Sequence, residues 1–489
     1  MRVAMTRLSL ALLVAVGLSG CGGDVGPHPQ CDSATNPCTD PAAPICDPAT
    51  HTCVAAPDGG GADLSVPDAA PPDLTPMCAT SAQCGDLMPI CSAGACRGCS
   101  GAADDAECAA HKSSTPRCDS TSHACVACRA STQDSDCATT TPVCDTGVCR
   151  KCKAHAECTS LVCKSDGTCA TAADILYVDN KGGGCTGTHT GAPTDPFCDI
   201  QPAITALAGQ HFIRVIGSLA SYGAVALDAA SVTLVGPGGK AMPPAKIIGN
   251  ASPAITFGGA TAASSVIDGF DVSTSFMDAI DCYPTATTTL TVRNCYVHDV
   301  SGAGIAVSRC DLTLDRNLIG PSNVTGGLSL SNSTYAITNN FIVANGNKGA
   351  GVTFSNGTTG VFRHNTVVSN LTTSGIGGIQ CNVVGNPVII ENSIVWMNTK
   401  GTGGSQVGGA GTCTLTNVDI DETAAGTGNT NVQPDFVNTG ATDYHLNGRT
   451  ANNLACCVDQ ITNSPVNHDY DGSPRPLNVK WDIGAHEVP

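Results

Sequence analysis

Between Thr287 and Ile420 short runs of alternating apolar and polar residues keep restarting at nearly fixed intervals. One set of apolar pairs reads Ile280/Cys282, Ile305/Val307, Leu328/Leu330, Val352/Phe354 and Ile379/Cys381. Alternation at period two places both members of a pair on one face of a β-strand. A second set of phrases is centred on asparagine: R-N-C-Y-V at Asn294, R-N-L-I-G at Asn317, N-N-F-I-V at Asn340, H-N-T-V-V at Asn365, E-N-S-I-V at Asn392 and T-N-V-D-I at Asn417. Their steps of 23, 23, 25, 27 and 25 residues mark a stacked repeat. Each repeat holds two or three short strands and is too small to bury its own apolar residues. Stacking buries them in one continuous column, with parallel strands bonded between coils. A sandwich, the competing all-β architecture, does not repeat at fixed steps of this kind.

Asparagine suits a tight corner because it tolerates positive φ better than most non-glycine residues. Stacked asparagines can also satisfy one another's amides along the column. The expectation is therefore one structural column: Asn294, Asn317, Asn340, Asn365, Asn392 and Asn417. The apolar pairs before each asparagine shift by one, from Leu290/Val292 to Leu312/Leu314, which predicts bulges.

On these two periodic columns the chain from about Ile175 onward resembles the right-handed parallel β-helix of pectate-lyase-like proteins. The resemblance implies an all-β solenoid over 218–430 with an N-terminal cap over 173–217 and a closing segment over 431–489. I-L-Y-V-D-N-K-G-G-G-C and D-P-F-C-D-I-Q-P-A-I-T-A-L-A look like such a cap, with a short helix at Ile200–Leu207 sealing the stack and Cys185 and Cys198 placed to staple its loop. D-Y-D-G-S-P-R-P followed by W-D-I-G-A-H-E resembles the closing segment of many bacterial surface proteins of this fold. Asp469 and Asp471 in that phrase resemble part of a calcium loop, but the bidentate Glu at EF-hand spacing is missing, which favours a structural turn.

The first twenty residues carry Arg2 and Arg7 before an apolar run, Leu8–Leu18, too short for a permanent span. Leu18-Ser19-Gly20-Cys21 resembles a bacterial lipobox, which implies cleavage before Cys21 and lipidation of its thiol. No other run approaches a membrane span, so the chain is expected to be attached to the membrane by this anchor alone. Its expected place is the bacterial cell envelope, outside the cytoplasmic membrane.

Thirty cysteines fit an exported chain. Twenty fall into five quartets: Cys31/38/46/53, Cys78/84/91/96, Cys99/108/118/125, Cys128/137/144/149 and Cys152/158/163/169. After a tether at 21–30, they divide the N-terminal part into a module at 31–54, a linker at 55–77 and four modules at 78–172. Each module is too poor in large apolar residues to fold on a core, so two disulfides per quartet are expected, in any of three connectivities. Cys96/Cys99, Cys125/Cys128 and Cys149/Cys152 have C-x-x-C spacing, but each pair joins two modules, which favours disulfides over zinc. Nine cysteines lie in the large domain, so at least one lacks an internal partner, and Cys282 and Cys381 are the expected buried thiols. The linker, A-A-P-D-G-G-G-A-D-L-S-V-P-D-A-A-P-P-D-L-T-P, reads as an extended tether.

A net charge of −18 with no basic stripe argues against nucleic acid. Sparse Lys and Arg argue against long-range attraction of a strongly anionic polysaccharide. Outward positions between the buried pairs are mostly small and neutral: Asp281, Ala306, Ser329, Thr353 and Gln380. The column before each asparagine is richer, with Arg293, Arg316, Asn339, His364, Glu391 and Thr416, and His298 and Asp299 lie nearby. Arg293, Arg316, His364, Glu391, His298 and Asp299 are the catalytic candidates, set against a solvated corner of mixed charge. Asp278/Asp281 and Asp311/Asp315 each fall within one coil rather than on adjacent coils. No nucleophile elbow, zinc-protease helix or phosphate-binding loop motif occurs. Two functions remain: a non-catalytic surface lipoprotein whose β-helix serves adhesion, as a rigid structural rod, or as a binding face for a polysaccharide or another surface protein, or a polysaccharide lyase or glycoside hydrolase. No cofactor is expected beyond the calcium considered for Asp469 and Asp471.

Overall fold

The computed structural model describes residues 45–47, 52–54 and 78–489, apart from 181–184, 186, 218–219, 229–230, 262, 322, 347, 374, 399–404 and 424. Cys21, the apolar leader and the 55–77 linker lie outside the described residues. The chain divides into residues 1–77 and 78–489. In the first unit the strands Ile45–Asp47 and Thr52–Val54 pair antiparallel, with Cys46 opposite Cys53.

In the second unit the four quartets share one connectivity, first to third and second to fourth. The bonds are Cys78–Cys91 and Cys84–Cys96, Cys99–Cys118 and Cys108–Cys125, Cys128–Cys144 and Cys137–Cys149, and Cys152–Cys163 and Cys158–Cys169. In three modules the last two cysteines sit opposite each other in a three-residue hairpin, such as Cys91 across from Cys96. They bond backward, the third cysteine to the first, ahead of the helical turn, and the fourth to the second, within or just after it, rather than to each other. Every C-x-x-C cysteine is thus committed to a disulfide within its own module.

Residues 175–420 wind into a solenoid with three strands per turn. Sheet A has ten parallel strands, from Ile175–Val178 to Cys413–Thr416. Sheet B has eight, from Lys246–Gly249 to Asp419–Ile420, and sheet C eight, from Val225–Ala226 to Val407–Gly408. Within a turn the chain runs A, B, C. The alternating pairs form the sheet C core in strict register, Ile280 on Ile305, Leu328, Val352 and Ile379 in turn. All five are almost fully buried. The helix Ile200–Thr205 packs against the first strands and buries Ile200 and Ala203.

The asparagines occupy two adjacent columns, not one. Left-handed backbone falls on Asn294, Arg316, Asn339, His364, Asn392 and Asn417, with φ between 49° and 57°. The next residue in each turn points into the core: Cys295, Asn317, Asn340, Asn365, Ser393 and Val418. Here the amides stack. The Asn340 Oδ1 accepts from the Asn317 N–H and Nδ2 at 2.9 Å each, and the Asn365 Oδ1 accepts from the Asn340 N–H and Nδ2 at 3.0 Å each. Asn317, Asn340 and Asn365 are therefore ladder residues, whereas Asn294, Asn392 and Asn417 are corner residues. The one-residue shift before the asparagines has the same origin. Leu290 pairs with Leu312 and Val292 with Leu314 in an unbroken register, without a bulge. Asn429 extends the ladder one step further, since its Oδ1 accepts from the Val418 N–H at 3.0 Å.

A second ladder stands at the corner from sheet B to sheet C. Asn345, Asn370, Asn398 and Gln406 each accept or donate along the stack, with Nδ2 to Oδ1 distances of 2.9 Å for the first two steps. Again the preceding residue, Ala344, Ser369 or Met397, has positive φ.

Disulfides Cys282–Cys310 and Cys381–Cys413 cross from sheet C to sheet A inside the core. Cys282 and Cys381 are thus not free thiols. The free cysteine among the described residues is Cys295, buried in the ladder column, where burial pushes its thiol up to about 12.

After Ile420 the chain folds back over sheet B. Tyr444, Leu446, Val458, Ile461, Ile483 and Val488 pack on the outward side chains Leu318, Phe341, Ile394 and Trp396. Arg475 pins this segment: fully buried, it pairs with Glu487 at 3.1 Å and donates to the carbonyls of Asp482 and Gly484.

Candidate functional site

The residues that could act on a ligand gather at the corner leaving sheet A, where the last cysteine module, Cys152–Cys169, lies against the solenoid. A cleft of about 500 Å³ opens there, within the range of small-ligand sites. The module contributes Lys153, His155 and Lys164, and the solenoid contributes Arg214, Asp268, Arg293, Asn294 and Arg316. Gly269 turns the corner in the coil below Asn294 with φ 82°, and a side chain there would strike the Gly238 backbone.

Asp268 is the hub. It is buried, and it accepts from the His155 Nε2 at 2.8 Å, the Arg293 Nε and the Asn294 Nδ2 at 2.6 Å. Burial alone would raise its pKa, but His155, Arg293 and Asn294 outweigh burial and hold the carboxyl down at about 2. His155 accepts the Cys163 N–H on Nδ1 at 2.9 Å, so its Nε2 carries the proton donated to Asp268. This bond locks the module to the solenoid. Arg214 is 8% exposed, its Nη1 donates to the carbonyls of Val235 and Gly236, and its Nε has no partner.

Five successive sheet A strands and the corners that follow them thus set the cleft wall, and the family comparison covers the last three. The family described as "Right handed beta helix region" matches residues 246–376 and, in a second overlapping match, 278–440. The solenoid is a right-handed parallel β-helix. Residues 67–176 match a family of unknown function, DUF8331, which takes in the four described modules. No curated protein and no solved structure matches the chain.

The β-helix separates the sequence candidates from one another. Arg293 ends a sheet A strand and Arg316 occupies the next corner, and both line the cleft. Glu391 lies further up sheet A, clamped by Arg363. His364 is buried under the C-terminal segment, bonded to Ser464 at 2.8 Å and to the Asp482 carbonyl at 3.0 Å. Burial, then the nearby Arg475, drive its pKa well below the ordinary value. His298 sits on the outer face of sheet B, stacked on Tyr296 and bonded to Asp271 at 3.0 Å and Asp299 at 2.7 Å. Burial opposes its charge, yet the two carboxylates win and raise its pKa.

In the C-terminal turn both Asp469 oxygens accept backbone N–H groups, from Ser473 and from Glu487. Asp471 pairs with His445 at 3.2 Å. Cys185 and Cys198 are disulfide-bonded.

Asp281 on sheet C is a titratable side chain without a stabilising partner. Its Oδ1 is buried and unbonded, and burial, then Asp278, raise its pKa to about 6. With the folded pKa above the unfolded value, its favourable contribution is complete below about pH 4 and is lost as pH rises through about 6. Asp281→Asn should therefore stabilise the protein at pH 8 by about 1–2 kcal/mol, discounted for partial exposure, and change nothing at pH 3.5. Thermal melts at the two pH values check this, and an equal effect at both would contradict it.

Sequence reasoning found Arg293 and Arg316 but missed Lys153, His155, Lys164, Arg214 and Asp268. Nothing local marks them: Asp268 lies 113 residues from His155. The arrangement can neutralise and orient an anion through several cationic donors, while its carboxylate is already consumed by three partners.

Proposed function

We propose that the chain is a lipid-anchored envelope protein that displays a non-catalytic β-helix on disulfide-rich modules and binds a glycan or surface partner. The observation that carries this reading is the commitment of the polar corner residues to the frame. Glu391 is clamped by Arg363, His364 is buried beneath the C-terminal segment, and Asp268 already accepts three bonds. A carboxylate pair of the kind glycoside hydrolysis uses, free on adjacent coils, is not formed by these residues. The lipobox-like Leu18-Ser19-Gly20-Cys21 supports the anchor, since lipid chains on one cysteine hold a protein stably at a membrane.

Two measurements test the two halves. Cys21→Ser should move the protein from the membrane fraction to the soluble one, and intact wild-type protein should carry the diacylglycerol mass on Cys21. A soluble wild-type form starting downstream of Cys21 would overturn the anchor. Incubation with uronate and neutral polysaccharides, with and without calcium, should release no reducing sugar or unsaturated uronate. Release of either would overturn the non-catalytic half.

A further inference from the structure

The cleft between the last cysteine module and the β-helix concentrates positive charge in a chain where acids outnumber bases 41 to 23. Lys153, Lys164, Arg214, Arg293 and Arg316 line it, and Asp268 is the one acid among the lining residues. Such a gathering is unfavourable in an empty cleft, because like charges repel and Arg214 is held out of water.

The protein itself uses few of the available donors. Arg293 commits Nε to Asp268, Arg316 commits Nε to Asp315, and Arg214 commits Nη1 to two backbone carbonyls. Their other guanidinium nitrogens have no hydrogen-bond partner among the described residues, and neither Lys153 nor Lys164 forms a salt bridge there. Fixed guanidinium forks beside mobile ammonium groups suit a tetrahedral oxyanion with two or three charged oxygens. No Phe, Tyr or Trp lines the cleft among the described residues, and the His155 ring is committed to Asp268 and the Cys163 N–H, so stacking on a neutral sugar is not what this surface offers.

We propose that this cleft binds a phosphate- or sulfate-ester group on a small ligand, with Arg214, Arg293 and Arg316 fixing the oxyanion and Lys153 and Lys164 closing over it from the module side. The site needs both parts of the unit. His155 bonded to Asp268 keeps the module in place, so the two lysines and the three arginines face one space. This inference is independent of the anchor and of the absence of catalysis, and survives or fails without them.

Calorimetric titration of the full mature protein at low and physiological salt provides the test. The probes are glucose 6-phosphate, glucose 6-sulfate, inorganic phosphate, glucose and galacturonate. One or both esters should bind saturably, more weakly as salt rises, with glucose silent and galacturonate at least tenfold weaker than the better ester. The two ester arms tell a phosphate site from a sulfate site. Binding of inorganic phosphate as tight as the phosphate ester assigns recognition to the oxyanion alone. Lys153→Ala combined with Lys164→Ala should weaken the better ester about a hundredfold, one charge-assisted contact being worth roughly tenfold. Both side chains reach solvent, so the melting temperature should not move. No saturable binding of either ester, galacturonate bound as tightly, or affinity indifferent to the two lysines would each overturn the proposal.

Discussion

Asn340→Ala should destabilise the β-helix by about 3–5 kcal/mol, and Asn340→Gly should cost at least as much. The reason is the ladder rather than the backbone. Asn340 is fully buried, its Oδ1 serves the Asn317 N–H and Nδ2, and its own Nδ2 serves the Leu314 and Thr338 carbonyls and the Asn365 Oδ1. Truncation leaves the Asn317 N–H and one Asn317 Nδ2 hydrogen without their acceptor and takes a donor from the Leu314 and Thr338 carbonyls, each lost bond worth about 1–3 kcal/mol before the coil relaxes. Positive φ belongs to Asn339, not to Asn340, so glycine at 340 relieves nothing. Asn250→Ala, at an exposed turn, should stay within about 0.5 kcal/mol. Denaturant midpoints of the three variants decide the matter. A glycine variant clearly more stable than the alanine variant would mean that the backbone conformation, not the amide stack, is what residue 340 supplies.

The second large effect concerns the C-terminal segment. Arg475→Met should cost about 3–5 kcal/mol, because it strands the Glu487 carboxylate in a fully buried position. The loss should be local first. With the Asp482 and Gly484 carbonyls also released, residues 433–489 should open from sheet B and expose Phe341, Ile394 and Trp396. Limited proteolysis should then cut within 433–489 while the coils stay protected, and the tryptophan emission should shift to the red. Adding Glu487→Leu should recover much of the stability, since a matched apolar pair removes the stranded charge. Unchanged proteolysis and emission in Arg475→Met would show that apolar packing alone holds the segment.

The period, the coil of short parallel strands and the inward pairs of sheet C were legible because alternation and spacing record burial directly, whereas they leave open the choice between two and three strands per coil. The corner was misread for a physical reason. Asparagine is suited both to left-handed backbone and to an amide stack, so Asn294 and Asn317 share a letter while doing different work one residue apart. The bulges inferred from Leu290 and Leu312 followed from that single misalignment. The second ladder was legible and passed over, since Asn345 and Asn370 each follow a first-ladder asparagine by five residues. Pairing of Cys282 with Cys310 depends on which strands face each other across the core, which one-dimensional spacing does not carry. The cleft was invisible for the same reason. It exists only where a module folds against coils that lie from 50 to more than 150 residues later in the chain.

The interlocked first-to-third and second-to-fourth pairing has a mechanical consequence. Every residue between the first and last cysteine of a module lies inside at least one closed loop, as between Cys78–Cys91 and Cys84–Cys96. Outside the loops, successive modules are joined by two residues each: Arg97-Gly98, Val126-Ala127 and Arg150-Lys151. A pulling force applied at Cys78 and Cys169 therefore finds almost no hidden length to release, because unfolding a module cannot open its loops while the sulfur bonds hold. The stretch should behave under load as a short, stiff cord, transmitting tension to the first β-helix strand at Ile175 instead of absorbing it.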